Sequence, residues 1–299
     1  IRPVKIFQEV GRILKPGGLF FVSDLRRDVN VLVKGFMYLV TRPRQIRPGL
    51  IVGPRDSTDR FTYWPVRIDR GGEVMAPGTP EDPTQIIAHR GGAAVAPENT
   101  LAAFQRGIAD GADWLELDVQ ENADGVVIVE HDRDFMRAAG AKLEVWQATN
   151  ADLADLDIGS SFAPEFSDQR VPTLRQVLEL AEGRAGVFIE LKYYGRNVEL
   201  EERVVELVEE TGMASEVVIM SLDYDGVRKT AGLRPDWTYG LLNAVALGDL
   251  TKLEVDFLAL AAGSASYSTI RRAHRRGLKV YAWTIDDPVQ MSVMMSRGI

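Results

Sequence analysis

The sequence predicts an α/β fold, a TIM-like (β/α)8 barrel over residues 85–299, and three observations carry that expectation. Short apolar runs alternate with longer stretches of helical periodicity, which points to a parallel sheet. The alternation recurs often enough to favour a closed barrel over an open sheet. Charged and histidine residues cluster at the ends of the runs, where barrel strands present their reactive groups.

The apolar runs cover residues 86–88, 114–119, 126–130, 187–191, 217–222, 239–242, 257–260 and 280–283. Each is short and bounded by turn-forming or charged residues, as strands are. The run at 126–130 follows its predecessor across residues 121–125 only, too short for a parallel crossover, so a hairpin partner or a distorted barrel strand is expected there. Residues 132–171 show no clear strand and read as an excursion over the barrel mouth. Gly298 and Ile299 directly follow a helical stretch, so a final strand and helix are expected to be missing, leaving a truncated and less stable barrel.

Upstream, residues 1–50 read as one small α/β unit: an amphipathic helix over 4–14, a stop at Lys15-Pro16-Gly17-Gly18 and a buried strand over 19–23. That turn and the following Phe20-Phe21-Val22-Ser23-Asp24 resemble the late part of a class I S-adenosylmethionine-dependent methyltransferase. Such an enzyme needs an early Gly-rich loop to approach its cofactor, and none lies upstream, so no chemistry is assigned to this fragment. Residues 51–84 are dense in Pro, Gly, Asp and Arg, with one candidate strand at 61–68, and read as an irregular linker.

Composition narrows the function. With 45% hydrophobic and 26% charged residues, the 299-residue chain is an ordinary globular protein. A net charge of -8 argues against a general nucleic-acid binder. The absence of cysteine excludes disulfides and thiol chemistry and fits a cytoplasmic protein. The apolar stretch at 29–40 is broken by Lys34 and falls short of the ~20 residues that span a bilayer, so no membrane segment is expected. The first residue is Ile, consistent with a longer reading frame. Nothing in the sequence fixes an oligomeric state.

The chemistry is concentrated in two strands. In Trp114-Leu115-Glu116-Leu117-Asp118-Val119 the strand period of two puts both acids on one face, opposite the aliphatic residues. If the leucines pack outward against helices, Glu116 and Asp118 project into the barrel, where unpaired charge is costly. Glu190 and Lys192 repeat the device in Phe188-Ile189-Glu190-Leu191-Lys192. A single acid pair more often lines a solvated edge, but two pairs on two strands argue for a shared centre. Oxygen-only ligation suits a hard divalent ion, Mg²⁺ or Ca²⁺.

Of the three histidines, His89 and His131 end apolar runs, whereas His274 sits in a charged helical stretch and reads as surface. Two histidines flanking a scissile phosphodiester would act as base and acid. Arg90 and Lys192 offer donors to a phosphoryl group. Pro97-Glu98-Asn99-Thr100 is expected to cap the helix at 101–108, through Asn99 or Thr100, with Glu98 within reach of the site.

In order, His89-Arg90-Gly91, Pro97-Glu98-Asn99-Thr100, Glu116-Leu117-Asp118, His131-Asp132 and Glu190-Leu191-Lys192 resemble the glycerophosphodiester phosphodiesterase family over residues 85–299. The resemblance implies a TIM barrel, a divalent metal and hydrolysis of a glycerophosphodiester to sn-glycerol 3-phosphate and an alcohol. It makes Glu116, Asp118 and Glu190 metal ligands, His89 and His131 the acid–base pair, Arg90 and Lys192 phosphate contacts, and Trp283 an aromatic near the substrate. The family's closing strand and its Asp are absent from the sequence. Two further readings share the barrel: a phospholipase of the sphingomyelinase D type, and a non-catalytic binding module, which would lack part of the acid–base set.

Overall fold

The computed structural model describes residues 85–194, 196–244 and 248–299, together with the backbone of short strands at 19–22, 50–52, 63–65, 67–68 and 74–75. The helix expected at 4–14, the 15–18 turn and most of the 51–84 linker lie outside the described residues. Strand β1 is Leu19–Val22; β2 (Leu50–Val52) pairs antiparallel with β3 (Tyr63–Pro65), and β4 (Arg67–Ile68) with β5 (Val74–Met75).

The expected runs become strands β6 (Gln85–Ala88), β7 (Trp114–Glu121), β8 (Val127–Val129), β9 (Gly186–Leu191), β10 (Val217–Ser221), β11 (Thr238–Asn243), β12 (Phe257–Ala261) and β13 (Lys279–Trp283). All but β8 join one parallel sheet in the order β6-β7-β9-β10-β11-β12-β13, curled so that its two ends approach. The short turn before β8 decides between the two options for that run: β8 is a hairpin partner, antiparallel to the end of β7 with Val119 opposite Val129.

The edge that the sequence predicts to be vacant is bridged from the other end of the chain. Strand β1 lies parallel between β13 and β6, with Phe20 in register with both Ala282 and Ile86. The ring thereby numbers eight parallel strands, one of them drawn from the N-terminal segment.

Burial follows the strand period. Leu115, Leu117 and Val119 are fully buried on the outer face of β7, against Phe104, Leu174, Val177 and Leu178 of the surrounding helices. Each such side chain stabilises by ~1.5–3 kcal/mol. The inner face is filled lower down by Phe188, Phe257 and Tyr281, with Phe188 edge-on to the other two rings, those two tilted against each other, and centroids 4.7–6.0 Å apart. Gly186 starts β9 because Trp114 lies against it: a Cβ there would sit 2.2 Å from the indole. Helices after the strands open on side-chain caps, Thr100, Thr173, Asp223, Ser266 and Asp287 among them.

The 132–171 excursion holds only short helical turns around a satellite core of Ile128, Phe135, Val145, Leu153 and Ile158. Among the described residues no helix is long and apolar enough to cross a membrane.

Candidate active site

The polar centre sits directly above the aromatic layer of the barrel. Glu116 and Asp118 alternate inward from β7, Glu190 follows Phe188 inward on β9, and the parallel register sets Asp118 beside Glu190. The three carboxylates are buried and can each offer an oxygen within 4.8 Å of the others. Lys192 leans over them, with Nζ 2.9 Å from Glu190 Oε1 and 3.3 Å from Asp118 Oδ1.

The turn after β6 completes one side. Arg90 adopts a left-handed backbone at φ 50°, followed by Gly91 and Gly92 at φ 80° and 112°. Gly91 is also forced by space, since a Cβ would lie 2.7 Å from the backbone of Ala103. This curl turns the Arg90 N–H onto Glu116 Oε2 at 2.9 Å. It also brings the Arg90 guanidinium to 3.3 Å from Asp118 and 2.8 Å from Glu98. His89 Nε2 stands 3.9 Å from Glu116 Oε2.

The β8 hairpin completes the other side. Glu130 N–H donates to the Asp118 carbonyl, tying the hairpin end to the acidic strand. His131 follows, its Nδ1 2.6 Å from Asp132 Oδ1, and Tyr194 donates its hydroxyl to the His131 carbonyl. One pocket is lined by His89, Arg90, Glu116, His131, Glu190 and Lys192 on its polar side. Met220, Leu222, Leu242 and Trp283 line its apolar side. Trp283 also packs, donating Nε1–H to the Ala259 carbonyl at 2.9 Å. Every sequence-predicted site residue except Asp118 lines this pocket, and Asp118 lies beneath it; His274 is exposed elsewhere, as expected.

Several contributors were less legible. Thr100 caps the helix, while Asn99, at φ 56°, instead gives its side-chain N–H to Asp118 Oδ2 at 2.9 Å. Glu98, Glu130, Asp132 and Arg137 form the surround. The unusual positive φ of Asn99 has no sequence signal beyond the tolerance of Asn for that region.

The electrostatics are those of a centre built around a cation. Burial pushes the Glu116 carboxyl well up, reinforced by Asp118 and Glu190; burial and Asp118 likewise raise Glu190 to about 7. Asp118 is the exception: although burial opposes it, Lys192 and Arg90 hold its carboxyl far below the usual range. Its Oδ1 is buried without a hydrogen bond. A buried all-oxygen donor set with unspent lone pairs fits a hard divalent metal. Burial, with Arg90 adding to it, lowers His89 to about 4, so its imidazole is neutral at pH 7. Burial also lowers His131, against the pull of Asp118.

The profile of the glycerophosphoryl diester phosphodiesterase family matches residues 89–299. The chain belongs to this family. It is therefore a phosphoric diester hydrolase. It is 31% identical to the glycerophosphodiester phosphodiesterase of Caldanaerobacter subterraneus subsp. tengcongensis, across 72% of this chain and 91% of that protein. It is 27% identical to the glycerophosphodiester phosphodiesterase of Bacillus subtilis across 80% and 88%. Among solved structures, an Oleispira antarctica phosphodiesterase in complex with the product sn-glycerol-3-phosphate superposes with a TM-score of 0.68 at 26% identity, covering 72% of this chain and 90% of that one.

Proposed function

We propose that the protein hydrolyses glycerophosphodiesters to sn-glycerol 3-phosphate and an alcohol in a metal-dependent reaction, with His89 and His131 as its acid–base pair. The observation that carries the reading is the convergence, in one pocket, of both strand-end histidines, the acid set and two cationic side chains, Arg90 and Lys192, that the acids hold in place. Glu116, Asp118 and Glu190 would hold the divalent ion, Mg²⁺ or Ca²⁺. Bound there, it would polarise the phosphoryl group and neutralise developing charge.

The protein's own groups account for the rest. Arg90 and Lys192 pair with the non-bridging phosphate oxygens, and both keep their positive charge because the buried acids raise them further. His89, neutral at pH 7, accepts the proton of the attacking oxygen as the new P–O bond forms. Where that oxygen is water the product forms directly, and where it is a glycerol hydroxyl a water must then open the cyclic phosphate. His131 delivers a proton to the departing alkoxide as the old P–O bond breaks; burial lowers this ring, and Asp132 on its Nδ1 works against that, towards the protonated form the step needs. The apolar side, with Trp283, takes the carbon skeleton of the substrate.

The test is release of glycerol 3-phosphate from glycerophosphocholine by purified protein, with Mg²⁺ or Ca²⁺ and then with excess chelator. Release that chelator and His89→Ala each abolish supports the reading. Absence of release by folded, metal-supplied protein would sink it.

A further inference from the structure

The two sides of the active site are joined by a chain of alternating charges that runs outside the cluster of Glu116, Asp118 and Glu190. His131 Nδ1 meets Asp132 Oδ1 at 2.6 Å, and the other oxygen of Asp132 accepts from Arg137 Nε at 2.6 Å. Arg137 Nη2 donates to Glu98 Oε1 at 2.7 Å, and that same oxygen accepts from Arg90 Nη1 at 2.8 Å. Arg137 lies in the short helix Met136–Ala139 of the mouth excursion, 39 residues from Glu98 in sequence. It reaches no ligand of the acidic centre itself.

We propose that Arg137 is a positioning residue, whose fork holds Asp132 against His131 and Glu98 against Arg90 at once. The inference rests on the reading that His131 and Arg90 act on the phosphodiester.

Stability does not explain the arrangement. The Arg137 side chain is 49% exposed and its partners about a quarter exposed, a setting in which ion pairs contribute little. Geometry does explain it. A planar guanidinium presents parallel donors to two acceptors in fixed directions, which an ammonium does not. Without Arg137, the Asp132 carboxylate keeps only His131, since the bonds to Glu130 and Gln120 are made by the Asp132 main chain and do not fix which way the carboxylate faces. Glu98 keeps Arg90 but loses the partner that prevents both from swinging out together. Arg133, four residues earlier, is the internal contrast: it too pairs bidentately in the excursion, with Glu144, but that pair touches no active-site group.

The experiment compares wild type, Arg137→Ala, Arg137→Lys and Arg133→Ala in steady-state hydrolysis of glycerophosphocholine with saturating Mg²⁺. Arg137→Ala should lose about 10- to 100-fold in kcat, the range typical of groups that orient an active-site residue, with little change in Tm. Arg137→Lys should recover only part of it, and Arg133→Ala should match wild type. Millimolar guanidinium, far below denaturing levels, should restore activity to Arg137→Ala and leave wild type unaffected. The chain has three histidines, so the imidazole ¹⁵N spectrum is simple, and the His131 signals should shift in Arg137→Ala. Wild-type kcat in Arg137→Ala, a loss that guanidinium does not rescue, or unmoved His131 signals would each overturn the proposal. A wild-type protein without phosphodiesterase activity would instead overturn the reading on which it rests, while the ¹⁵N comparison still decides whether Arg137 holds His131.

Discussion

Arg90 gives its main-chain N–H to the Glu116 carboxylate at 2.9 Å, and it can do so only because its backbone is left-handed at φ 50°, ψ 36°. For a residue with a Cβ that conformation costs ~1 kcal/mol or more, tolerated here because the following Gly91 and Gly92 and the Asn99 N–H on the Arg90 carbonyl over-determine the turn.

Two substitutions separate that backbone role from the side chain's. Arg90→Gly and Arg90→Ala both delete the guanidinium, and both should lower kcat/KM by about 100-fold or more, the usual loss for a group that stabilises phosphoryl charge. They should differ in stability, with the glycine variant ~1 kcal/mol more stable than the alanine variant because glycine takes φ > 0 without strain. Urea unfolding of the two proteins measures this directly. Equal midpoints would mean that the turn relaxes when Arg90 is gone.

Crowding three buried carboxylates carries a second consequence. With chelator present, Glu116→Gln should raise Tm above that of wild type, since it removes a charge that burial, Asp118 and Glu190 all disfavour. With Mg²⁺ or Ca²⁺ the order should reverse. Wild type gains from ligand binding, by ~2.7 kcal/mol at a hundred times Kd, and the variant should gain much less. Thermal melts across a metal titration decide it; a metal-induced shift preserved in Glu116→Gln would remove Glu116 from the ligand set.

The strands and the acidic face were legible because both depend on a local period of two, which Leu115, Glu116, Leu117 and Asp118 display without outside help. The strand-end histidines were legible for the same reason. What escaped depends on loops. Asn99 reaches Asp118, and Arg137 reaches Glu98, across spans set by turn geometry that no periodicity encodes. The strand at 19–22 was readable as a strand, but its partners were not: edge pairing is chosen by what the rest of the barrel leaves open.

Glu130 should give the protein a pH-dependent stability. Burial, with Asp132 and Glu98 nearby, raises its carboxyl to about 8 although Asp132 N–H donates to it. The folded state therefore binds this proton more tightly than the unfolded chain does. The associated stability is fully present below the unfolded carboxyl pKa and is lost as pH rises towards about 8, at up to ~1.4 kcal/mol per pH unit. Glu130→Gln mimics the protonated group, so it should match wild type near pH 4 and exceed it by a few kcal/mol near pH 9. Urea unfolding at the two pH values is the measurement. Parallel stability profiles for the two proteins would show that Glu130 titrates normally.

The closure of the ring by β1 makes the last prediction. Four residues of β1 pair with β6, from Leu19 opposite Gln85 to Val22 opposite Ala88, and Phe20 also aligns with Ala282 of β13. A strand inside a ladder cannot accommodate proline, which lacks the N–H and crowds its neighbour. Phe21→Pro should therefore unseat β1 and expose the facing edges of β6 and β13, an open parallel edge prone to association. Amide exchange should quicken in Ile86–Ala88 and at Tyr281 to Trp283, Tm should fall, and the His89 turn that β6 leads into should loosen, lowering kcat. Because β6 also pairs with β7 through Ile87 and Ala88, the damage should be confined to that side, leaving exchange in β9 and β10 unchanged. Unaltered protection of β6 in Phe21→Pro would mean that the barrel stands without its borrowed strand.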